Sequence, residues 1–389
     1  MRSVELFAGA GGMAIGMANA GFHHAAVIEW NSDACETFRD NQRHHARCVE
    51  EWPLHEADVR TFDYGKLRDV MVVSGGPPCQ PFSMWGKHKG DMDERDMFPE
   101  AVRAVRELRP KAFIFENVKG LKRESFATYF EYIRLQLSYP GIPRKKDEAW
   151  REHCRRLEKH EISSRIPSEY NVVSELLNAA DYGVPQKRER VLIVGFRADL
   201  GIEWSFPEET HSEDALLESK WITGDYWDRH EVAKKHRNKV EGRIAARLER
   251  ARRGELFGDK LAPWLTVRDA INDLPDPEKF PGNKIPNHRF NPGARSYPGH
   301  TGSPLDEPAK TLKAGDHGVP GGENMLAHPD GTLRYFSVRE AARLQTFPDD
   351  YVFRGAWTEA MRQLGNAVPV RLAEVIANSV AKTLLSLKD

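Results

Sequence analysis

Short apolar runs that end in polar or glycine-rich residues recur through the first half of the chain. Runs of this length predict buried strands, and stretches with helical spacing of apolar positions lie between them. Strands that alternate with helices predict an α/β fold built on a parallel, doubly wound, Rossmann-like sheet. The predicted strands are Ser3–Phe7, Ala25–Ile28, Val70–Val73, Ala112–Phe115, and a later pairing couple, Val172–Leu177 and Arg190–Phe196.

Helical spacing of apolar residues recurs to the end of the chain. The predicted helices are Met13–Ala20, Pro99–Leu108, Asp147–His160, Glu241–Arg253, Val338–Gln345 and Val370–Leu387. Residues 140 to 168 are rich in charge and bounded by prolines, which indicates a surface insertion without chemistry of its own.

A glycine turn joins the first predicted strand to the first helix. Glycines in Gly9-x-Gly11-x-x-Ala14 let a ligand approach the backbone, and the amides of the helix N-terminus face that ligand. Glu29 ends the second strand 20 residues after Gly9, the spacing of a carboxylate that binds ribose hydroxyls. Trp30 suits either stacking on a flat base or core packing. Asp58 suits either an adenine amino group or a solvated loop.

Cys79 lies in a stiff loop, Ser-Gly-Gly-Pro-Pro-Cys-Gln-Pro, directly after the strand Val70–Val73. Ligands of open α/β sheets bind at this edge, and a thiolate there is a candidate nucleophile. Glu116 directly follows the strand Ala112–Phe115, so we expect it to face Cys79 across the same edge. A small buried cysteine in a turn is the alternative interpretation.

Two further polar groups accompany this edge. Arg188 and Arg190 alternate at strand period, which suits them to bind a base or phosphate, although alternating arginines also mark solvated edge strands. The glycine-punctuated residues 85–91 suit a mobile lid that also touches phosphates.

Composition narrows the function classes. The 389 residues carry a net charge of −1, so only a local patch could attract a polyanion. Such a patch is predicted between Lys220 and His300, a segment that contains 17 lysines and arginines but only 11 aspartates and glutamates. Aromatic residues are interleaved with these charges, as is typical of nucleic-acid-binding domains. The four cysteines form no C-x-x-C pair and no zinc spacing, so we expect no metal. No signal peptide or membrane span is indicated, which predicts a cytoplasmic protein.

These motifs together resemble the DNA (cytosine-5)-methyltransferases of the bacterial or phage type, over nearly the whole chain. The similar segments are Phe7–Gly12 (the S-adenosylmethionine loop), Gly76–Gln80 (the catalytic loop), Glu116–Val118, Gln186–Arg190, Arg339–Gln345, Gly365–Pro369, and the Thr-Leu signature within Pro308–Leu312. The order of these segments along the chain is also that of the family.

The resemblance implies a role for each matching residue. The catalytic residues would be Cys79, Glu116, Arg188 and Arg190. S-adenosyl-L-methionine would be held by Phe7, Gly9, Gly11, Gly12, Glu29, Trp30, Asp58, Pro77 and Asn366. DNA would be contacted by Gln80, Ser83, Lys87, Lys89, Arg95, Thr311 and Leu312. Residues 1–200 and 336–389 would form the catalytic and cofactor-binding domain, and residues 201–335 a smaller, irregular, β-rich target recognition domain.

The implied reaction is transfer of methyl to cytosine C5 in duplex DNA, through base flipping and a covalent adduct between Cys79 and C6, for restriction-modification. The expected partners are double-stranded DNA and a cognate restriction endonuclease, with no membrane, and the expected state is a monomer in a prokaryotic or phage-infected cell. A tRNA cytosine-5 methyltransferase is the alternative, but its Cys-Phe-Thr signature is absent. An NAD-dependent oxidoreductase leaves Cys79 and Glu116 unexplained, and a catalytically dead DNA reader would be expected to have lost one of them.

Overall fold

The computed structural model describes residues 1–44, 49, 51–78, 96–163, 167–237, 240, 242–252, 261–295, 301–314 and 324–388. The chain divides into two compact units. Unit 1 comprises Met1–Leu177, Glu189–Pro207 and Ala373–Asp389, and unit 2 comprises Asn178–Arg188 and Glu208–Leu372. This division differs from the predicted boundaries, because residues 178–188 and 336–372 pack with unit 2. The roles predicted for the domains stay predictions.

A seven-stranded sheet forms the centre of unit 1, with the strand order β3-β2-β1-β4-β5-β7-β6. The strands are β1 (Arg2–Leu6), β2 (His23–Glu29), β3 (Leu54–Glu56), β4 (Val72–Gly75), β5 (Ala112–Val118), β6 (Tyr170–Asn178) and β7 (Glu189–Arg197). Neighbours among β1 to β5 are parallel, whereas β7 is antiparallel to β5. The predicted α/β class is therefore confirmed, and the antiparallel strand β7 is the departure from the parallel arrangement that the alternation indicated.

The helices of unit 1 follow the strands as alternation predicts. They are α1 (Gly12–Asn19), α2 (Ser32–Arg43), α3 (Phe98–Leu108), α4 (Ala127–Ser138) and α5 (Trp150–Ser163). All four residues of β4 are buried, as expected for a central strand that is covered on both faces. The helix predicted to start at Asp147 in the insertion begins at Trp150 instead.

Unit 2 combines helices with very short strands. Its elements are β8 (His211–Ser212), α6 (Glu213–Glu218), a π-helical turn (Ser219–Thr223), α7 (Asp225–Arg229), α8 (Gly242–Arg252), β9 (Ala262–Pro263), α9 (Val267–Ile271), β10 (Ser303–Pro304), β11 (Met325–Ala327), β12 (Leu333–Tyr335), α10 (Val338–Leu344) and α11 (Trp357–Asn366). The last helix, α12 (Val370–Leu385), begins in unit 2 and ends in unit 1.

The described part of unit 2 is irregular, as predicted, but it is not β-rich. Each of its strands has two or three residues, since proline interrupts the ladders at positions such as Pro263 and Pro304. Tyr226, Trp227 and Trp264 pack together with Leu216 in its core. These three aromatic side chains lie in the basic region that was predicted to attract a polyanion, and their burial shows that they pack in a core.

Among the described residues, no helix is both long enough and apolar enough to cross a membrane.

Candidate active site and cofactor loop

Glu116 and Arg190 form a buried ion pair at the edge of the sheet in unit 1. The Arg190 Nε lies 2.6 Å from the Glu116 Oε1. Arg190 is 9% exposed and Glu116 is 7% exposed. Glu116 lies near the end of β5, and Arg190 lies near the start of β7. Because β7 is antiparallel to β5, its start meets the carboxyl end of β5. The strand reversal that the sequence missed is what brings this pair together.

Burial lowers the pKa of Arg190, against the opposing effect of the neighbouring Glu116 carboxylate. An arginine keeps its charge at neutral pH even so, because its ordinary pKa is far above 7. The Arg190 Nη1 also donates to the Glu189 carbonyl at 2.8 Å. The pair therefore presents a positioned carboxylate and a positioned guanidinium in a site with little water, where electrostatic interactions are strong.

The backbone that leads to Cys79 passes directly over Glu116. A Cβ built on Gly76 would lie 3.3 Å from the Glu116 Oε2. The Asn117 side-chain amide donates to the Pro77 carbonyl at 2.9 Å. At the other side of the loop, the Met97 N–H donates to the Pro78 carbonyl at 3.0 Å. Asn117 lies within the Glu116–Val118 motif but was not predicted to have a role, and its position directly after Glu116 was the available signal.

Gly75 is required where β4 ends. Its φ of 156° is unfavourable for other residues, and a Cβ there would lie 2.3 Å from the Leu6 carbonyl oxygen. Cys79 and the predicted DNA contacts Gln80, Ser83, Lys87, Lys89 and Arg95 lie outside the described residues, as do residues 85–91.

The turn after β1 is held in left-handed backbone conformations. Phe7, Gly9 and Gly11 have φ values of 54°, 54° and 86°. A non-glycine residue in this region costs of order 1–3 kcal/mol, a strain that is common at functional sites. A Cβ at Gly9 would meet nothing within 4 Å, so open space lies above the turn. Gly11 caps α1, and Gly12 is the first residue of that helix.

Glu29 joins this turn to the end of β2. Its carboxylate accepts hydrogen bonds from the backbone N–H groups of Gly9 at 2.7 Å, Trp30 at 3.0 Å and Asn31 at 2.7 Å. A carboxylate offers about four acceptor positions, so this one keeps capacity for a ligand hydroxyl. The Trp30 side chain beside it is 70% exposed, which excludes the core-packing interpretation.

Asp58 lies after β3 and is engaged locally. Its carboxylate accepts from the Arg60 backbone N–H at 2.9 Å and from the Arg60 guanidinium. The hydrogen bond from the Arg60 side chain holds the pKa of Asp58 below its ordinary value. The structure therefore gives Asp58 the role of a loop cap, and its contact with adenine stays a prediction.

The structure shows Arg188 engaged with backbone carbonyls, and its catalytic role stays a prediction. Arg188 is fully buried in unit 2, where its guanidinium donates to the carbonyls of Leu312 at 3.0 Å, Gly365 at 2.7 Å and Ala367 at 2.8 Å. Alternation predicted that Arg188 and Arg190 lie on one face of a strand. Arg188 instead lies before the start of β7, and the chain passes from unit 2 to unit 1 between Arg188 and Glu189. Arg188 thus holds the backbone of two separate segments of unit 2 in place, one at Leu312 and one at Gly365 to Ala367.

The predicted DNA contacts in the Thr-Leu signature are also engaged within unit 2. Leu312 is 1% exposed and donates its backbone N–H to the Gln186 side chain, and its contact with DNA stays a prediction. The Thr311 hydroxyl donates to the Lys187 carbonyl at 2.7 Å. Asn366 is an exposed residue at the end of α11, next to the two carbonyls that Arg188 holds. Its contact with the cofactor stays a prediction.

Comparison with known proteins decides the family. The family model described as C-5 cytosine-specific DNA methylase matches residues 1–141 and 154–382. The chain belongs to this family. It is a DNA (cytosine-5)-methyltransferase that uses S-adenosylmethionine.

Individual relatives agree with this assignment. The Type II methyltransferase M.NgoMIV of Neisseria gonorrhoeae is 30% identical over 396 residues, which cover 98% of this methyltransferase and 97% of that protein. The Type II methyltransferase M.Eco47II of Escherichia coli is 31% identical over 386 residues, with coverages of 98% and 79%. A solved structure of an E. coli prophage protein, described as a DNA modification methyltransferase, shares the fold with a TM-score of 0.59 at 20% identity over 99% of both chains.

The residues of the turn after β1 fit S-adenosylmethionine. Open space above Gly9 admits a ligand close to the backbone, and the exposed Trp30 ring offers a flat surface for adenine. The Glu29 carboxylate keeps acceptor capacity beside this space, which suits a ribose hydroxyl. Unit 1 therefore presents a glycine turn with open space above it and a buried ion pair at the sheet edge.

Proposed function

We propose that this methyltransferase modifies one cytosine within a short, specific sequence of double-stranded DNA, through a covalent bond between Cys79 and cytosine C6. The observation that carries the proposal is the buried Glu116–Arg190 pair beneath the backbone of Gly76 to Pro78. That backbone leads directly into Cys79. A nucleophile, a carboxylate and a guanidinium are the three groups that activation of a cytosine ring requires.

Cys79 acts first in the proposed sequence. Its thiolate forms a bond to C6, and the electrons of the C5–C6 double bond move into the ring, so that C5 becomes nucleophilic. Glu116 binds the N3 and N4 edge and favours protonation at N3 as negative charge develops there. Arg190 binds O2 and keeps the Glu116 carboxylate in place. When bound, S-adenosylmethionine supplies the electrophilic methyl group. Loss of the C5 proton then allows the bond between sulfur and C6 to break.

Cofactor binding is assigned to the residues around the turn after β1. Phe7, Gly9, Gly11 and Gly12 would shape the cradle, Glu29 would accept from the ribose, and Trp30 would stack on the adenine. Asp58, Pro77 and Asn366 complete the proposed set, and Pro77 also fixes the approach to Cys79 through its bond from Asn117.

Access to the ring requires that the cytosine leave the duplex, since C6 is shielded by stacking in double-stranded DNA. Flipping costs a few kcal/mol, which contacts to the vacated duplex offset. Gln80, Ser83, Lys87, Lys89 and Arg95 are the residues proposed for those contacts, together with Thr311. Residues 201–335 would read the target sequence through base edges in the grooves.

The biological setting we infer is restriction-modification, which the names of the relatives support. In that setting the enzyme acts as a monomer in the cytoplasm of a prokaryotic or phage-infected cell, since one flipped base needs one active site. A cognate endonuclease of the same sequence specificity would be its partner. The tRNA alternative is not favoured, because the family model that matches the chain is one of DNA methylases.

The test is transfer of labelled methyl from S-adenosylmethionine to duplex DNA, with tRNA in parallel, for the wild type and Cys79→Ala. We expect label on DNA cytosines in one sequence context by bisulfite sequencing, and none with the variant. Label on tRNA alone would move the protein to the RNA-modifying branch. Undiminished transfer by Cys79→Ala would exclude the covalent route.

A further inference from the structure

Residues 57–64 follow the strand β3, and we call them the Asp58 loop. β3 has three residues and lies at the edge of the sheet, so the sheet fixes only the start of this loop. At that start the Ala57 N–H donates to the Glu29 carbonyl at 2.9 Å. Asp58 comes next and caps the helical turn Val59–Thr61. The position of Asp58 therefore depends on the contacts that hold the rest of the loop.

Arg103 of α3 holds the far side of the Asp58 loop. Its guanidinium donates to the backbone carbonyls of Val59 and Phe62, the latter at 3.3 Å. The same guanidinium lies over the Tyr64 ring, with its Cζ 4.8 Å from the ring centroid, which is the geometry of a cation–π interaction. A single side chain thus contacts the loop at three points between Val59 and Tyr64.

The Arg103 side chain is itself held in place by its own helix. Its Nε lies 2.7 Å from the Glu100 Oε2, and its Nη1 lies 3.1 Å from the Glu107 Oε1. These two glutamates are three residues before and four residues after Arg103, so all three side chains share one face of α3. A planar guanidinium that is oriented in advance loses less conformational freedom when it binds the loop carbonyls.

We propose that Arg103 is a positioning residue for S-adenosylmethionine, and that it acts through Asp58. This inference rests on the proposed contact between Asp58 and the adenine of the cofactor. Asp58 lies between two anchors, the hydrogen bond from Ala57 to Glu29 and the contact of Arg103 with Val59. A hydrogen bond weakens steeply when its acceptor moves out of line, so loss of the second anchor should weaken adenine binding. The reacting methyl group is not touched by this change.

The experiment measures binding of S-adenosylmethionine to the full-length protein by isothermal titration calorimetry, and kcat for methyl transfer to DNA at saturating cofactor. We expect Asp58→Ala to raise the Kd roughly 10- to 100-fold, since it removes a hydrogen bond to a charged group, and Arg103→Gln to raise it roughly 10-fold. The kcat of Arg103→Gln should stay within about twofold of the wild type, because only cofactor binding changes. In the double variant, Arg103→Gln should add little to the effect of Asp58→Ala.

Arg134→Gln is the matched control. Arg134 is an arginine of α4 that also pairs with two glutamates, Glu131 at 2.6 Å and Glu161 at 3.0 Å, but it donates to no backbone carbonyl among the described residues. This variant should bind the cofactor as the wild type does. Arg103→Lys keeps the charge but not the planar fork of donors, so its Kd should rise less than that of Arg103→Gln. It decides the matter if Arg103→Gln does not fold.

The other outcomes overturn the proposal. Unchanged cofactor affinity in the Arg103 variants would do so, as would additive effects of Arg103→Gln and Asp58→Ala. A loss of kcat as large as the rise in Kd would assign Arg103 to the general stability of unit 1 instead. Normal affinity in Asp58→Ala would remove the proposed adenine contact itself. Weakened binding by Asp58→Ala with normal binding by Arg103→Gln would leave that contact standing and reject only the role of Arg103.

Discussion

In the buried ion pair of Glu116 and Arg190, each charge is tolerated only because the opposite charge lies beside it. Taking both ions out of water is costly, and their mutual attraction offsets that cost only while both are present. Loss of either partner leaves an uncompensated buried charge, which destabilises proteins by about 3–5 kcal/mol. The pair is thus a candidate for catalysis and also contributes to stability, so an experiment has to separate an effect on the reaction rate from an effect on folding.

Replacing Glu116 by glutamine tests the catalytic part. Glu116→Gln keeps the shape of the side chain but removes the carboxylate that would favour protonation at cytosine N3, so we expect kcat to fall roughly 10²- to 10⁴-fold. Steady-state methyl transfer, measured well below the melting temperature of the variant, gives the rate. Glu124→Gln, at an exposed position, is the control and should keep the wild-type rate. A Glu116→Gln enzyme of normal kcat would exclude the proposed role.

Arg188, two residues before Arg190, acts on the backbone rather than on a base. Arg188→Met leaves the carbonyls of Leu312, Gly365 and Ala367 buried without their donor, and each such group costs about 1–3 kcal/mol. We expect a marked drop in the urea concentration at which unit 2 unfolds. We also expect a raised KM for S-adenosylmethionine, because Asn366, a proposed cofactor contact, lies between two of these carbonyls. Unchanged stability with a lowered kcat would instead restore the catalytic role.

At the scale of elements, apolar patterning located six of the seven strands of the sheet, all except β3, but not the direction of each. β7 was expected from the run Arg190–Phe196, yet alternation of side chains reads the same in both directions along a strand. Its antiparallel pairing with β5 follows from how the chain enters the sheet at Glu189, after eleven residues, Asn178–Arg188, that belong to unit 2. Hydrogen bonds from Gln186 and Arg188 to distant backbone decide that path, and no local pattern records them.

The candidate site was predictable wherever a single loop or strand end carries the chemistry. Spacing alone predicted that Glu29 lies near the turn of Gly9 and Gly11, and the hydrogen bond from the Gly9 N–H to the Glu29 carboxylate agrees with this placement. Contacts between distant segments were not predictable, as Leu312 shows: a motif identified this residue, but its burial and its hydrogen bond to Gln186 were not visible in the sequence. The burial of aromatic residues in the basic region was not predictable either, because the sequence does not distinguish aromatic side chains on a DNA-binding surface from those in a core.

Close packing between β5 and β7 gives a prediction at this scale. The Phe113 ring lies across Gly195, and a Cβ there would be 2.2 Å from the Phe113 Cζ. Gly195→Ala should therefore destabilise unit 1 by about 1–3 kcal/mol, the usual cost of overpacking. Urea unfolding measures the change. Adding Phe113→Leu should recover part of the loss, because the shorter side chain makes room for the methyl group. Additive destabilisation by the two changes would refute the contact as its cause.

At the scale of the whole molecule, a few buried groups govern how stability changes with pH. Burial raises the pKa of Glu5 from 4.5 to about 8, and the Ser74 hydroxyl donates to it across the pairing of β1 with β4. Burial lowers the pKa of His24 from 6.5 to about 4. Glu5 makes the folded state bind more protons than the unfolded chain between pH 4.5 and 8, whereas His24 has the opposite effect between pH 4 and 6.5.

Between pH 6.5 and 8 the Glu5 effect stands alone among these groups. The raised pKa of Asp181, about 6, acts at lower pH, and the lowered pKa of Lys220, about 8, acts at higher pH. Stability should therefore fall by about 2 kcal/mol from pH 6.5 to pH 8, because the unfolded chain has released the Glu5 proton and the folded chain has not. Urea unfolding across this range measures the loss. Glu5→Gln, which stays neutral and keeps a partner for Ser74, should remove the slope, while Glu124→Gln should retain it. An equal slope in the wild type and Glu5→Gln would mean that another group sets the pH dependence.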